Sequence, residues 1–158
     1  MDLAYTVAYG KRRFRWAAEL AARSLIEFGG FAGEVVVFTD RPGPAIPRVT
    51  WKVVADEKAG TRGNWMKHGA REHLDLPAYD RVMMFDADLL VRSPITHLLD
   101  RCDETRVVVT DDLGGTVRGG HCNKMLTAEE LDRCGEQFGI NGGLMIGRGP
   151  VIDRALAA

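Results

Sequence analysis

A chain of 158 residues, 46% apolar and 27% charged, has the length and composition of one soluble globular domain with a core of its own. Its formal net charge of −1 gives no sign of a polyanion binder, and nucleic-acid binding is not expected. Lys11-Arg12-Arg13 reads first as a solvated helix start, with neutralisation of a diphosphate at the first loop as the alternative. No stretch approaches the roughly 18 apolar residues of a membrane span, and "MDLAYTVAYG" lacks the basic region, apolar core and cleavage site of a secretory signal.

In chain order, "LAYTVAY" is a short apolar run that predicts a buried strand. Phe14, Ala17, Ala18, Ala21, Leu25 and Phe28 then recur at helical steps and predict one buried helix face. Arg15, Glu19, Arg23 and Glu27 alternate in sign on the opposite side, and Gly29-Gly30 ends the helix. "EVVVFTD" is a continuous apolar strand closed by Asp40, "RPGPAIP" a loop, and the more alternating "VTWKVV" a strand near a sheet edge.

A polar, turn-rich stretch, "ADEKAGTRGNW", leads into a modest helix from Trp65 to Leu74. "DLPAYD" turns the chain into the strand "YDRVMMFDADLLV", and "RVVVT" is another buried strand. After it comes a Gly-rich loop, "DDLGGTVRGGHCNKM". Thr127 and Glu130 have capping-box spacing at the head of a helix that closes on Gly139. "NGGLMIG" is a strand, and Pro150 opens a last helix. Continuous apolar strands alternating with helices predict an α/β domain whose sheet is covered on both faces. Cys102, Cys122 and Cys134 share no zinc-like spacing and read as reduced thiols of a cytosolic protein.

Asp86 and Asp88 stand at the carboxyl end of a predicted strand, where open α/β sheets gather their ligands. Side chains two apart on a strand point to one side, and two such carboxylates repel unless a cation lies between them. Hard ions such as Mg²⁺ and Mn²⁺ take carboxylates together with substrate phosphates. A metal bridging these acids and a diphosphate is the chemistry suggested. The tripeptide alone is common in turns and caps, and only its placement after "YDRVMMF" lifts it above them.

"YDRVMMFDADLLVRSPITHLLD" resembles a segment of glycosyltransferase family 8, which includes glycogenin and bacterial lipopolysaccharide galactosyltransferases. The family's strand "YDKVLYLDADxLV", with the "LxxLFD" helix after it, matches Tyr79, Asp80, Val82, Asp86, Ala87, Asp88, Leu90 and Val91 in order, then Ile95, Leu98, Leu99 and Asp100. "GINGGLMIGRG" is similar to the family's "FNxGVMLIN" strand, and "TVAYGKRRFRWAAELAARSL" to its first strand and helix. The resemblance implies a GT-A fold, Rossmann-like, with a mixed, mostly parallel sheet and helices on both faces. It implies a retaining transferase that moves a sugar from a nucleotide-diphosphate donor, a UDP-sugar, to the hydroxyl of a glycan, lipid-linked or protein acceptor. It also implies Mn²⁺ (or Mg²⁺) held by Asp86 and Asp88.

By the same matching, Ala8 and Tyr9 lie where the family receives nucleobase and ribose, with Phe14 nearby. Lys67 would reach the donor diphosphate or sugar, and Ala87 would lie against the donor. Asn141 and Gly142 would stand at the acceptor side of the donor sugar. The family's third metal ligand, a His in a His-Gly and Lys-Pro segment, has no counterpart among His68, His73, His97 and His121. The expectation is therefore a fragment or trimmed domain. "YGKRR" also replaces the family's Asn-Asp after the first strand, and the turn before Tyr79 is longer than in glycogenin.

No carboxylate stands out as a nucleophile, so a front-face mechanism is expected, the diphosphate helping to deprotonate the acceptor. Two other readings remain open. One is a nucleotidyltransferase, which "AYGKRR" matches poorly; the other is a non-catalytic nucleotide-sugar-binding domain. Asp111 and Asp112 read as a turn or part of an acceptor wall, and His121 and Cys122 as loop residues near the pocket. Trp16, Trp51 and Trp65 read as core or rim residues.

Overall fold

The structure, a computed structural model, describes residues 1–54, 65–119 and 127–157. Strands β1 (Leu3–Ala8), β2 (Glu34–Thr39), β3 (Val49–Val53), β4 (Arg81–Phe85), β5 (Val108–Thr116) and β6 (Phe138–Arg148) form one sheet in the order β3-β2-β1-β4-β6-β5. The β3, β2, β1 and β4 neighbours pair in parallel, while β6 runs antiparallel to both β4 and β5. Helices α1 (Arg12–Glu27), α2 (Trp65–Gly69), α3 (Thr96–Leu99), α4 (Ala128–Cys134) and α5 (Gly149–Ala157) connect or follow the strands. This is the mixed, mostly parallel α/β sheet expected, with β3 at an edge as its alternation predicted.

Residue parity on the strands sorts the core into two layers. Leu3 and Tyr5 of β1, Val36 and Phe38 of β2, and Val82 and Met84 of β4 face one side, where Met66 of α2 and Ile152 of α5 cover them. Ala4, Val35, Met83 and Phe85 face the other, covered by Ala21, Ala22 and Leu25 of α1 and by Leu99 of α3. Alanines at the contact let α1 lie close to the sheet. Its end is set by Gly30 at φ +65°, with the Phe31 amide donating to the Leu25 carbonyl at 3.2 Å.

One buried hydroxyl ties this helix to the chain beyond the acid pair. Ser24 donates to the Ala21 carbonyl at 2.8 Å and accepts from the Val91 amide at 3.0 Å. Ser24→Ala leaves that amide without its acceptor and is expected to cost about 1–3 kcal/mol, read as a lower urea midpoint at unchanged slope. An unchanged midpoint would mean that the amide finds another acceptor.

Several expected boundaries differ. Phe14 and Phe28 belong to the predicted buried face, yet they are 42% and 58% exposed. Sixteen helical residues span about 24 Å, more than a six-residue strand at about 20 Å, so both helix ends overhang the sheet. Of the predicted alternating charges on α1, Glu19 pairs with Arg23 at 3.1 Å, whereas Arg15 turns to Asp40 at 3.6 Å. The helix expected from Trp65 to Leu74 stops at Gly69 and continues as a 3-10 turn, Ala70–Glu72, because glycine weakens a helix interior.

Residues 111–116 are not loop. They extend β5 along β6, and register shifts after Val109 and Asp111 absorb the Gly-rich stretch. Asp111, opposite Ile140, and Asp112 therefore lie on strand backbone rather than in a turn. Helix α4 ends at Cys134 and β6 begins at Phe138, so both differ from the bounds expected. Of the expected capping box, the described contact is the Leu131 amide on the Thr127 carbonyl at 3.0 Å.

Candidate functional site

Strand β4 delivers Asp86 to the carboxyl end of the parallel strands. The Asp86 amide donates to the Gly143 carbonyl at 2.7 Å, and the Leu89 amide closes a turn on the Asp86 carbonyl at 3.0 Å. Ala87 packs on a small cluster of Ala8, Ala18 and Val37. That contact accounts for the residue between the acids: a small apolar side chain packs on the core where the chain turns. Asp88 is exposed, and the Asp86 side chain is 38% exposed.

Helix α2 brings the cation. Lys67 Nζ forms an ion pair with Asp86 Oδ1, and the lysine side chain is only 13% exposed. Burial pushes the Lys67 pKa below the usual lysine range, and the charge of Asp88 opposes that shift. The Tyr5 hydroxyl donates to the Lys67 carbonyl at 3.0 Å and anchors the helix to β1. Burial raises the pKa of Tyr5, so it remains a donor. Next to Lys67, the His68 pKa is lowered by burial and then by the lysine's charge.

The remaining predicted residues divide. Ala8 and Tyr9 end β1, but they are 1% and 8% exposed, so a ligand would meet mainly backbone there. Gly10 follows with φ +81°, and its amide donates to Asp40 Oδ1 at 3.3 Å. Phe14 is open to solvent, with the Arg13 guanidinium 5.1 Å from its ring centroid. The backbone of Asn141 lies opposite Thr110 in β6. Gly142 adjoins the Gly143 carbonyl that holds Asp86, and a Cβ built on it would meet nothing within 4 Å.

Asp86, Lys67 and the Gly142-Gly143 backbone are thus brought together from three separate segments. Trp16 is exposed and Trp51 is a rim residue, its indole donating to the Pro44 carbonyl at 2.8 Å. His121 and Cys122 lie outside the described residues. Three contributors were given no place at the site by the sequence reading: Tyr5, Asp40 as a tether for the first loop, and Gly143. Only Asp40 had a signal, its place at a strand's carboxyl end.

Among the described residues no group of three or more His, Cys, Asp and Glu side chains could hold a metal. Two hard oxygen donors do fit a divalent ion whose other ligands are phosphate oxygens and water. A cavity of about 580 Å³ lies elsewhere, at the opposite ends of β1 and β4. Within it Arg81 pairs with Asp2 at 2.7 Å and with Asp100 at 3.2 Å.

No protein-family model and no curated protein sequence matches the chain. Among solved structures it is similar to an active-site mutant of LgtC, with a TM-score of 0.65 and 17% identity over 98% of this chain and 59% of that one. It is also similar to the galactosyltransferase LgtC in complex with donor and acceptor sugar analogues, with a TM-score of 0.61 and 17% identity over 98% and 60% of the two chains. The chain spans about 59% of the length of the LgtC structure it matches best of these two. At this identity the likeness shows the fold, which is the GT-A, Rossmann-like arrangement.

Proposed function

We propose that the chain is the donor-binding domain of a metal-dependent, retaining glycosyltransferase of family 8, transferring a sugar from a UDP-sugar to an acceptor hydroxyl. The observation that carries this reading is the juxtaposition of Asp86, Asp88 and Lys67 at the carboxyl end of β4 in a GT-A sheet. Asp86 and Asp88 would hold Mn²⁺ or Mg²⁺, which when bound supplies positive charge beside the departing diphosphate. Lys67 would pair with the diphosphate. The β1 end, at Ala8, Tyr9 and Gly10, would receive nucleobase and ribose, with Phe14 at its margin and Ala87 as the floor between the acids.

Asn141 and Gly142 would line the acceptor side, where a Cβ added to Gly142 would still meet open space. With no protein nucleophile assigned, the diphosphate itself takes the acceptor proton in a front-face transfer. In this reading the 158 residues form one domain, and a third metal ligand comes from chain outside it. Among the described residues no helix is long and apolar enough to cross a membrane. A cytoplasmic place, with a glycan, lipid-linked or protein acceptor, belongs to the same proposal.

The test is UDP release from a panel of UDP-hexoses, with Mn²⁺ and then with EDTA, for the wild type and Asp88→Asn. Release that needs Mn²⁺ and falls about a hundredfold or more in the variant is expected, the loss of one charge-stabilising group being worth that much. Equal release in EDTA or in Asp88→Asn would sink the metal role. UDP binding without release would favour the second reading, a nucleotide-sugar-binding domain without catalysis.

A further inference from the structure

The acid pair already has a cation. Asp86 and Asp88 would repel each other at the end of β4, and the chain meets that repulsion with its own Lys67, paired to Asp86 and close enough to Asp88 to feel its charge. The root of this lysine is fixed. Met66 and Ala70, on either side of it, are buried in the core beneath β1 and β4, and the Tyr5 hydroxyl holds the Lys67 carbonyl. Only the four-carbon stem can swing. The ammonium therefore moves within a short arc around the acids and has few partners to choose from.

We propose that Lys67 is a built-in counter-ion, which keeps Asp86 closed to a divalent cation until a diphosphate draws the ammonium away. The inference rests on the reading of Asp86 and Asp88 as metal ligands. With Lys67 on Asp86, a divalent ion meets one free carboxylate and a competing positive charge. A diphosphate offers the lysine several anionic oxygens in exchange for one carboxylate, so Lys67 transfers and Asp86 is released. Metal and nucleotide then bind with positive coupling, and by linkage each raises the other's affinity by the same factor. The domain admits its metal together with the donor rather than before it.

Titration of Mn²⁺ alone, of UDP alone and of each in the presence of the other tests this, by calorimetry and by the loss of the free-Mn²⁺ electron-spin signal. Lys67→Met should bind Mn²⁺ alone about tenfold or more tightly than the wild type, and the mutual enhancement by UDP should fall by a similar factor, within the usual range of such couplings. Lys67→Arg, which can still pair with Asp86, should keep the wild-type coupling. Arg71→Gln removes a cation four residues on that pairs instead with Asp153 at 3.2 Å, and it should leave Mn²⁺ affinity unchanged.

Should Lys67→Met melt early, Lys67→Gln takes its place. Equal Mn²⁺ affinity in wild type and Lys67→Met, with binding abolished by Asp88→Ala, would overturn the counter-ion role and leave the metal site standing. An equal rise in Arg71→Gln would reduce the effect to long-range charge and overturn it as well. Mn²⁺ binding indifferent to Asp88→Ala, or absent throughout, would overturn the metal reading and this inference with it.

Discussion

Asp88→Ala is expected to abolish the stabilisation that UDP and Mn²⁺ together give the folded chain. A ligand that binds only the native state adds RT ln(1 + [L]/Kd), about 2.7 kcal/mol at a hundredfold excess over Kd. For a domain of this size that corresponds to a rise in Tm of about 5–10 °C. Asp88 is the cleaner of the two acids to remove. It is exposed, so its loss should change the unliganded Tm little. Removing Asp86 would instead strand the largely buried Lys67 ammonium and confuse stability with binding. A shift with both ligands that survives in Asp88→Ala would place the donor away from these acids. A shift with UDP alone, insensitive to EDTA, would show nucleotide binding without the metal.

Gly149→Ala should be among the most damaging single methyls in the described chain. A Cβ there would stand 2.2 Å from the Leu76 carbonyl oxygen and 2.4 Å from that of Tyr79, and both are backbone atoms that cannot rotate aside. Gly149 opens α5, whose Ile152 is fully buried on the β4 face, so relief would require the whole helix to move off the Leu76–Ala78 turn. Overpacking of this kind costs about 1–3 kcal/mol and sometimes more. The denaturant midpoint should fall accordingly. Gly142→Ala is the control, since nothing lies within 4 Å of its added methyl, and its midpoint should not move. Equal effects at the two glycines would mean that α5 packs more loosely than these distances state.

The strand-end place of the acid pair and the class of sheet around it were legible because both follow from local pattern. Continuous apolar runs such as "EVVVFT" become buried parallel strands, the alternating "VTWKV" an edge strand, and a strand's carboxyl end is where ligands gather. Lys67 could be placed near the acids only through the family resemblance. Its pairing with Asp86 depends on how α2 sits over β1, which no spacing within either segment encodes. Phe14 and Phe28 misled because helical period reports a face and not where the sheet beneath it stops. The strand over residues 111–116 was hidden by its composition, since aspartate and glycine are poor strand formers in isolation and only the partner strand β6 recruits them. Tyr5 gave no sign of its role, because an aromatic in an apolar run looks like core, and its ring is core.

The bond from the Asp86 amide to the Gly143 carbonyl sets an order of assembly. During synthesis β1, β2 and β4 leave the ribosome well before β6, and the parallel half of the sheet can form while Asp86 still hangs from an unpaired edge. Its backbone is fixed only when residue 143 arrives and docks. Long-range pairing of this kind comes late in folding, after the costly loop closure it requires. A half-made chain consequently presents no rigid pair of carboxylates, and under the proposed metal role cation affinity would be a marker of the finished fold.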